Sequence, residues 1–199
     1  GKLNPRAMPV ILHEGPATAL MDGEAGFGQI VAREAMRLAI RKAEEVGIAV
    51  VGVRRSGHIG RLADYVEMAA AQDMVALLFV NASGAGQWMA PWGGRQPRLS
   101  TNPLAFSCPG GQGWPISLDI ATTTAPEGKV RVKRNRREPL PPGWVMDAEG
   151  YQTTDPEALY RSPGGTLLPM AGHKGYALAV MVEIMAGILS RAGHAREES

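Results

Sequence analysis

The chain has 199 residues, of which 45% are hydrophobic and 20% are charged, a composition that is typical of a folded protein and excludes general disorder. Its formal net charge is +2, so charge alone gives no reason to expect nucleic acid as a partner. One cysteine and four scattered histidines exclude an intramolecular disulfide, offer no zinc-type spacing, and favour a reducing compartment. We therefore expect no metal and a cytoplasmic protein.

The first half of the chain alternates helical and strand patterns. Residues 1–26 are predicted to be extended and rich in turns, and apolar positions then recur at helical spacing from 27 until Gly47. The β-branched run 48–53 predicts a strand buried on both faces, and a helix from Leu62 precedes a second such strand at 75–80. This order indicates an α/β fold, in which the two strands are expected to lie parallel.

The second half is less regular. Glycines and prolines recur through 81–115 and predict a long loop with one short strand at 104–107; ordered loops of this length are usually functional. Glu183 interrupts the longest apolar stretch, which is also too short to span a bilayer, so we expect no membrane contact. The other predicted elements are a strand, a basic segment, a loop and an apolar helix, at 116–120, 129–137, 139–155 and 176–189.

The segment Ser56-Gly57-His58-Ile59-Gly60 lies where the first buried strand ends and the next helix begins. Ligands collect at such positions in α/β units. The flanking glycines leave room for a ligand, and the pKa of histidine, about 6.5, suits proton exchange at neutral pH. His58 is therefore either a proton-transferring residue in a ligand site or a structural histidine.

Two other segments place polar groups at the ends of predicted elements. Asp119 and the threonines after it leave a strand, where they suit either a ribose or carboxylate ligand or the cap of the next helix. His173 and Lys174 open the last helix between two glycines. Free backbone N–H groups and a cation favour an anion there, and a solvated turn is the alternative.

The common nucleotide-binding loops are absent. The segment Gly26-Phe27-Gly28 lacks the third glycine and the later acidic residue of the dinucleotide fingerprint, so we interpret it as the start of a helix. Gly128-Lys129 is followed by valine, which excludes a Walker A loop. The basic residues at 129–137 have no interleaved aromatics and are interpreted as a solvated face, with a cofactor phosphate or nucleic acid as the alternatives.

Nine short motifs are distinctive as an ordered set, and they are Ser56-Gly57-His58-Ile59-Gly60, Val80-Asn81-Ala82-Ser83, Ala90-Pro91-Trp92-Gly93-Gly94, Thr101-Asn102-Pro103-Leu104-Ala105-Phe106, Leu118-Asp119-Ile120-Ala121-Thr122, Glu127-Gly128-Lys129, Pro141-Pro142-Gly143-Trp144, Thr153-Thr154-Asp155-Pro156 and Gly172-His173-Lys174-Gly175-Tyr176. In this order, and over nearly the whole chain, the sequence resembles the malate/L-lactate dehydrogenase family of NAD(P)-dependent oxidoreductases. That family also includes ureidoglycolate and sulfolactate dehydrogenases, diketogulonate reductase and cyclic imino-acid reductases.

The resemblance implies a mixed sheet with flanking helices that holds NAD or NADP without the Rossmann fingerprint, in a homodimer. It implies a small 2-hydroxy or 2-oxo acid as substrate, and His58 as the proton acceptor or donor. We take Arg54, with Arg55 or Arg61 as alternatives, as the cation for the substrate carboxylate. Thr101 and Asn102 are implied at the wall of the nicotinamide pocket. The residues expected at the cofactor are Asn81, Ala82, Asp119, Ile120, Ala121, His173 and Lys174.

The resemblance assigns residues 1–199 to one region, the core of the family's NAD(P)-binding and catalytic domain. The family's N-terminal Ser-His-Gly segment and its C-terminal cofactor-contacting segment have no counterpart in the sequence. Three hypotheses follow: hydride transfer between NAD(P) and a 2-hydroxy acid, a family member that binds cofactor or a partner without turnover, and nucleic-acid binding through 129–137. The sequence leaves the substrate, and the choice between NAD and NADP, open.

Overall fold

The computed structural model describes residues 3–83 and 86–195. Over these residues the chain is a mixed α/β fold, as the sequence predicted. The elements in chain order are β1 (Val10–Glu14), β2 (Thr18–Gly26), α1 (Gly28–Val46), β3 (Val50–Ser56), α2 (Ala63–Ala70), β4 (Ala76–Phe79), β5 (Leu104–Cys108), β6 (Ile116–Ile120), α3 (Glu127–Arg136), β7 (Val145–Met146), β8 (Gln152–Thr153), a 3-10 turn (Pro156–Tyr160), β9 (Thr166–Leu167), α4 (His173–Val182) and a π-helical continuation of α4 (Glu183–Ile188).

The first sheet has the strand order β1-β2-β3 and begins in the segment predicted to be extended. β1 and β2 pair antiparallel, whereas β2 and β3 are parallel, with Thr18 opposite Val50. α1 connects the two parallel strands and packs Ala35 and Leu38 on the sheet. Gly47 ends this helix as predicted, because its φ of 88° is a left-handed conformation that favours glycine.

The second sheet is antiparallel and has the order β4-β5-β6. Leu104 of β5 lies opposite Phe79 of β4 on one side and opposite Ile120 of β6 on the other. α2 packs on this sheet, where Val66 is buried against Ala105. The carboxyl ends of β4 and β6 and the amino end of β5 therefore lie at the same edge of the sheet.

The two strands predicted at 48–53 and 75–80 differ from the expectation. β3 and β4 begin later, and they are edge strands of separate sheets rather than parallel neighbours buried on both faces. Val50 is 54% exposed and Leu77 is 58% exposed. The prediction of a buried parallel pair was wrong because a continuous apolar run does not distinguish a central strand from an edge strand.

The third sheet, with the order β8-β7-β9, occupies part of the segment that was predicted as loop. The basic segment forms α3, in which Arg131 pairs with Glu127 and Arg134 pairs with Glu157. Both arginine side chains lie on the exposed face of the helix. The core shared by α3 and this sheet consists of Val130, Leu140, Val145, Ala158, Leu159 and Leu167.

The predicted apolar helix begins three residues early, at His173, and changes at Glu183 from α-helical to π-helical winding. Its buried face carries Gly175, Ala179 and Val182, and then the acidic side chain of Glu183, which is 6% exposed. Over residues 3–83 and 86–195, no helix combines the length and the apolar character needed to cross a membrane.

Candidate active site

A cleft between the first two sheets collects most of the residues predicted to be functional. It is bordered by the segments that follow β3, β4 and β6 and by the segment that precedes β5. Ligand sites in α/β proteins characteristically lie beyond the ends of strands. The predicted site residues that line this cleft are Arg54, His58, Asn81, Ala82, Thr101, Asp119, Ile120 and Ala121.

The second sheet fixes the spacing of one wall of the cleft. Beyond the paired ends of the strands, Val80 donates its N–H to the Pro103 carbonyl at 3.1 Å, and Thr122 donates its N–H to the Thr101 carbonyl at 3.0 Å. Neighbouring strands lie about 4.8 Å apart, so the chain segments that follow β4 and β6 are separated by about 10 Å, with the segment before β5 between them. This wall therefore presents Asn81 beside Thr101 and Thr101 beside the end of β6.

The loop that carries His58 is held by hydrogen bonds at the residues on either side of it, Gly57 and Ile59. The Gly57 N–H donates to the Gly26 carbonyl at 3.1 Å, which ties the loop to the end of β2. On the other side, the Tyr65 hydroxyl donates to the Ile59 carbonyl. The imidazole of His58 is exposed within this fixed backbone, so the loop presents it to the cleft with little freedom in the main chain.

Tyr65 remains a hydrogen-bond donor over the physiological range. Burial raises the pKa of its hydroxyl above the ordinary value, and the nearby Asp64 carboxylate adds to the effect. On the neighbouring surface Arg61 donates to Glu67 and to Asp64, which raises the pKa of the Arg61 guanidinium and lowers the pKa of Glu67. The Arg61 side chain is therefore engaged with the acidic residues of α2.

Asp119 joins the end of β6 to the start of α2. Its Oδ2 accepts the backbone N–H of Ala63 at 2.9 Å, although the two residues are 56 positions apart in sequence. The capping alternative considered for Asp119 is thus present, but the helix that it caps precedes it in the chain. Because Ala63 follows His58 by one short turn, this bond also draws the His58 loop towards Asp119.

Arg54 is anchored by a buried carboxylate. Asp22, which is 1% exposed, accepts from Arg54 Nε at 3.1 Å and lies 3.4 Å from Arg55 Nε. Over the described residues the two Nη groups of Arg54 have no hydrogen-bond partner, and the side chain is one-third exposed. Asp22 therefore holds the guanidinium through one nitrogen and leaves the other two for an anion.

Thr101 and Asn102 point in different directions. Thr101 lines the cleft, whereas Asn102 is fully buried behind it, with a φ of 32°. The Asn102 Nδ2 donates to the Ala179 carbonyl at 2.9 Å and to Glu183 Oε2 at 2.7 Å. Of this pair, Thr101 is the one that reaches the cleft surface, while Asn102 faces the interior.

Glu183 is a polar residue of this region that the motif analysis did not assign to the site. Its Oε1 accepts the Ala195 N–H at 2.6 Å and lies 3.5 Å from Asn81 Nδ2. Asn81 Nδ2 also donates to the Gly193 carbonyl at 3.1 Å. The signal available in the sequence was a single acidic residue within an otherwise apolar helix, since such a residue is seldom buried without partners.

The start of α4, which carries His173 and Lys174, is tied to the segment after β6, because the Met170 N–H donates to the Thr122 carbonyl at 2.9 Å and the Gly175 N–H donates to the Met170 carbonyl at 3.0 Å. His173 and Lys174 are the first two residues of α4, both are exposed, and neither is among the described residues that line the cleft. The His173 ring contacts Trp92 edge-on, with ring centroids 6.2 Å apart. Within 3–83 and 86–195, no three His, Cys, Asp or Glu residues come together as metal ligands.

Comparison with known proteins gives the chain a family. The model of the malate/L-lactate dehydrogenase family matches residues 1–199. An L-lactate dehydrogenase of Cupriavidus necator is 41% identical over 192 residues, which make up 96% of this chain and 55% of that protein. A malate dehydrogenase of Pyrococcus abyssi is 43% identical over an alignment of 195 positions, which covers 94% of this chain and 52% of that protein.

Solved structures agree with this assignment. The delta1-piperideine-2-carboxylate reductase of Pseudomonas syringae pvar. tomato superimposes with a TM-score of 0.89 at 38% identity, covering 99% of this chain and 57% of that one. The chain thus spans about half the length of the curated relatives that it matches. With a family match along its whole length and identities of 41% and 43% to two relatives, the chain belongs to the malate/L-lactate dehydrogenase family.

Proposed function

We propose that this chain provides the cofactor-binding and proton-transferring part of an NAD(P)-dependent dehydrogenase that interconverts small 2-hydroxy and 2-oxo acids. The observation that carries the proposal is that His58, Asn81 and the Asp119-Ile120-Ala121 segment at the end of β6 line one cleft, in a chain of the malate/L-lactate dehydrogenase family. The same observation supports residues 1–199 as a single functional region.

The groups that line the cleft suit a nicotinamide dinucleotide. Small apolar side chains at Ala82 and Ala121 leave space for a flat ring. The Asp119 Oδ2 already accepts the Ala63 N–H, and the second oxygen of Asp119 is the one that would accept from a ribose hydroxyl. In the proposal, Asn81 and Ile120 complete this surface. The bound cofactor would supply the hydride chemistry at its nicotinamide ring.

His58 is the proposed acid and base. With the hydride taken or supplied by the bound cofactor, the His58 imidazole would accept the hydroxyl proton of the substrate during oxidation and return it during reduction. The free Nη groups of Arg54 are proposed to hold the substrate carboxylate in a bidentate contact, and Thr101 is proposed to border the same pocket. Asn102 would act there through its backbone, because its side chain lies behind the wall.

His173 and Lys174 remain proposed cofactor contacts at the start of α4. Free N–H groups at a helix N-terminus, together with a lysine cation, favour a phosphate. The proposal covers both NAD and NADP, and Lys129, which also borders the cleft, is a further cation near it. A cytoplasmic homodimer completes the proposal.

A substrate screen tests the proposed function directly. NADH and NADPH are offered with pyruvate, oxaloacetate and a cyclic imine, and oxidation of the cofactor is followed by absorbance. His58→Ala is expected to lower kcat by roughly 10²- to 10⁴-fold, the usual contribution of a general base. Glu149→Ala is the control, because Glu149 is exposed and is not among the described residues that line the cleft.

Two results would count against the proposal. A kcat for His58→Ala within threefold of the unmodified chain would remove His58 from proton transfer. Dinucleotide binding without turnover of any substrate would favour the alternative, a family member that binds the cofactor without catalysis. Tight, salt-sensitive binding of DNA or RNA would instead support the interpretation based on residues 129–137.

A further inference from the structure

Glu183 is the centre of a buried hydrogen-bond network at the back of the cleft. Its Oε2 accepts from Asn102 Nδ2 at 2.7 Å, and its Oε1 accepts from the Ala195 N–H at 2.6 Å and lies 3.5 Å from Asn81 Nδ2. The side chain is only 6% exposed. Leaving one of these buried groups without a hydrogen-bond partner is costly, so the Glu183 side chain holds its partners in place. We call these four groups the Glu183 network.

The Glu183 network joins three segments that all border the cleft. Asn81 belongs to the segment after β4, Asn102 to the segment before β5, and Ala195 to the loop that follows the π-helical segment. Each of these segments contributes residues to the lining of the cleft, among them Ala82, Thr101 and Ala192. A single side chain thus fixes the mutual position of three parts of one wall.

Gly187 gives a second, independent indication that Asn81 is closely placed. A Cβ at this position would lie 2.5 Å from Asn81 Nδ2 and 2.4 Å from the Gly193 carbonyl oxygen, both well inside van der Waals contact. Only glycine therefore allows the Asn81 amide and the Gly193 carbonyl to reach the π-helical segment. Segments with this winding are rare and are found frequently at functional sites.

The network requires a hydrogen-bond acceptor at both terminal positions of the side chain at residue 183. Asn102 Nδ2 gives its two hydrogens to Glu183 and to the Ala179 carbonyl, and the buried Asn102 Oδ1 has no partner among the described residues. A glutamine at 183 would turn its NH₂ group towards one of these donors and lose that bond. Rotating the Asn102 amide would not repair the loss, because Oδ1 would then face the Ala179 carbonyl.

We propose that Glu183 is a positioning residue that holds Asn81, and with it the cofactor-facing wall of the cleft, in the geometry that receives the dinucleotide. Glu183 touches neither cofactor nor substrate and acts through Asn81 and the Thr101–Asn102 backbone. The identity of the ligand in this inference rests on the proposed function, whereas the link between Glu183 and the wall of the cleft does not.

The test compares two variants of the network with two matched controls in the full chain. Glu183→Gln removes an acceptor, and Gly187→Ala displaces Asn81 without changing Glu183. Glu149→Gln changes an exposed carboxylate, and Gly111→Ala adds a Cβ that meets no atom of the described residues within 4 Å. NADH and NADPH affinities are measured by fluorescence titration, and amide hydrogen exchange is followed at residues 80–83 and 192–195.

Both network variants are expected to raise the dinucleotide Kd at least tenfold and to speed exchange in both segments, while the controls stay within twofold of the unmodified chain. Val130→Ala is a structural comparator, because Val130 is fully buried in the separate core around α3. If Val130→Ala lowers Tm by as much as Glu183→Gln and raises Kd equally, the effect is general destabilisation and the proposal is overturned.

The remaining outcomes are also decisive. A Kd for Glu183→Gln within twofold of the unmodified chain overturns the positioning role. If the unmodified chain binds neither dinucleotide, the proposed function fails for this chain, and hydrogen exchange alone decides the link to the wall. Unchanged protection at residues 80–83 in Glu183→Gln would then refute that link, and faster exchange would support it.

Discussion

Replacing Gly28 by alanine tests how closely α1 must approach the loop that presents His58. Gly28 is the first residue of α1. A Cβ added there would lie 2.1 Å from the Gly57 carbonyl oxygen and 2.4 Å from the His58 carbonyl oxygen. Both neighbours are backbone atoms, which cannot rotate away as a flexible side chain can. The helix and the loop must therefore separate.

The size of the effect follows from these distances. Restoring a contact of 3.0 Å to the Gly57 oxygen requires a displacement of about 1 Å, and an overpacked core site of this kind costs about 1–3 kcal/mol. For a chain of this length, each kcal/mol lowers Tm by about 2–4 °C. A shift of about 1 Å in a catalytic group can lower a rate by about 10²-fold, so kcat should fall more than stability alone would indicate.

The assay combines thermal unfolding, dinucleotide-dependent reduction of a 2-oxo acid, and NMR of the imidazole signals of the four histidines. Gly128→Ala is the control, because Gly128 lies in the first turn of α3 and its Cβ would meet nothing within 4 Å in the part of the chain that the structure describes. Alanine there should stabilise the helix by about 0.5–1 kcal/mol. The reasoning is refuted if Gly28→Ala melts at or above the Tm of the unmodified chain and its His58 signals do not move.

Three further predictions concern stability. Asp119→Ala should cost about 1 kcal/mol, as lost helix caps do, and Asp119→Asn should cost less than half of that, since its amide oxygen still accepts the Ala63 N–H; equal losses in urea unfolding would contradict the capping role. Burial, followed by the hydrogen bond to Glu127, raises the pKa of Tyr160 from 10.0 to about 12, so the stability contributed by the neutral phenol is complete below about pH 10 and is lost as the pH rises towards 12. As the pH rises through that interval, Tyr160→Phe should therefore lose less stability than the unmodified chain. The difference should be about 1 kcal/mol, because the partly exposed ring is screened by water. Parallel curves of Tm against pH for the two proteins would show that Tyr160 does not contribute. Leu167→Ala, at a side chain that is fully buried, should cost about 2–5 kcal/mol; a loss below 1 kcal/mol in chemical unfolding would mean that the surrounding core collapses into the space.

The parts of the fold and of the candidate site that could be predicted from the sequence depend on interactions between neighbouring residues in the chain. The helix that Gly47 ends depends on apolar spacing and on one glycine at a left-handed φ, both of which are visible within a few residues. His58 could be placed in a loop between a strand and a helix for the same reason. Both the residue type and the neighbouring glycines are local signals of a ligand site.

The contacts that assemble the site were not visible locally. Asp119 meets Ala63 across 56 residues, and Asn102 meets Glu183 across 81 residues. Which way Asn102 faces depends on its φ of 32°, a backbone conformation that no side-chain pattern specifies. The motif therefore identified the segment at 101–102, but it could not show that the Asn102 side chain turns inward.

Edge strands are a second limit of pattern reading. The apolar runs that became β3 and β4 contain the residues of a central strand, yet over residues 3–83 and 86–195 each strand pairs with a neighbouring strand along one edge only. Pairing depends on what the rest of the molecule brings alongside, which is a property of the tertiary structure. His173 and Lys174 illustrate the same limit, because their motif indicates an anion site but does not specify its distance from His58.

The π-helical segment after α4 affects how the sequence of this region can change in length. The Leu189 N–H donates to the Ile184 carbonyl and the Ala192 N–H to the Gly187 carbonyl, each five residues back, so each of these turns contains one residue more than an α-helical turn. Loss of a single residue here would allow ordinary winding and leave the preceding turns of α4 intact. Gly187 would then no longer face Asn81, so a one-residue change in length would reshape one wall while the scaffold beneath it persisted.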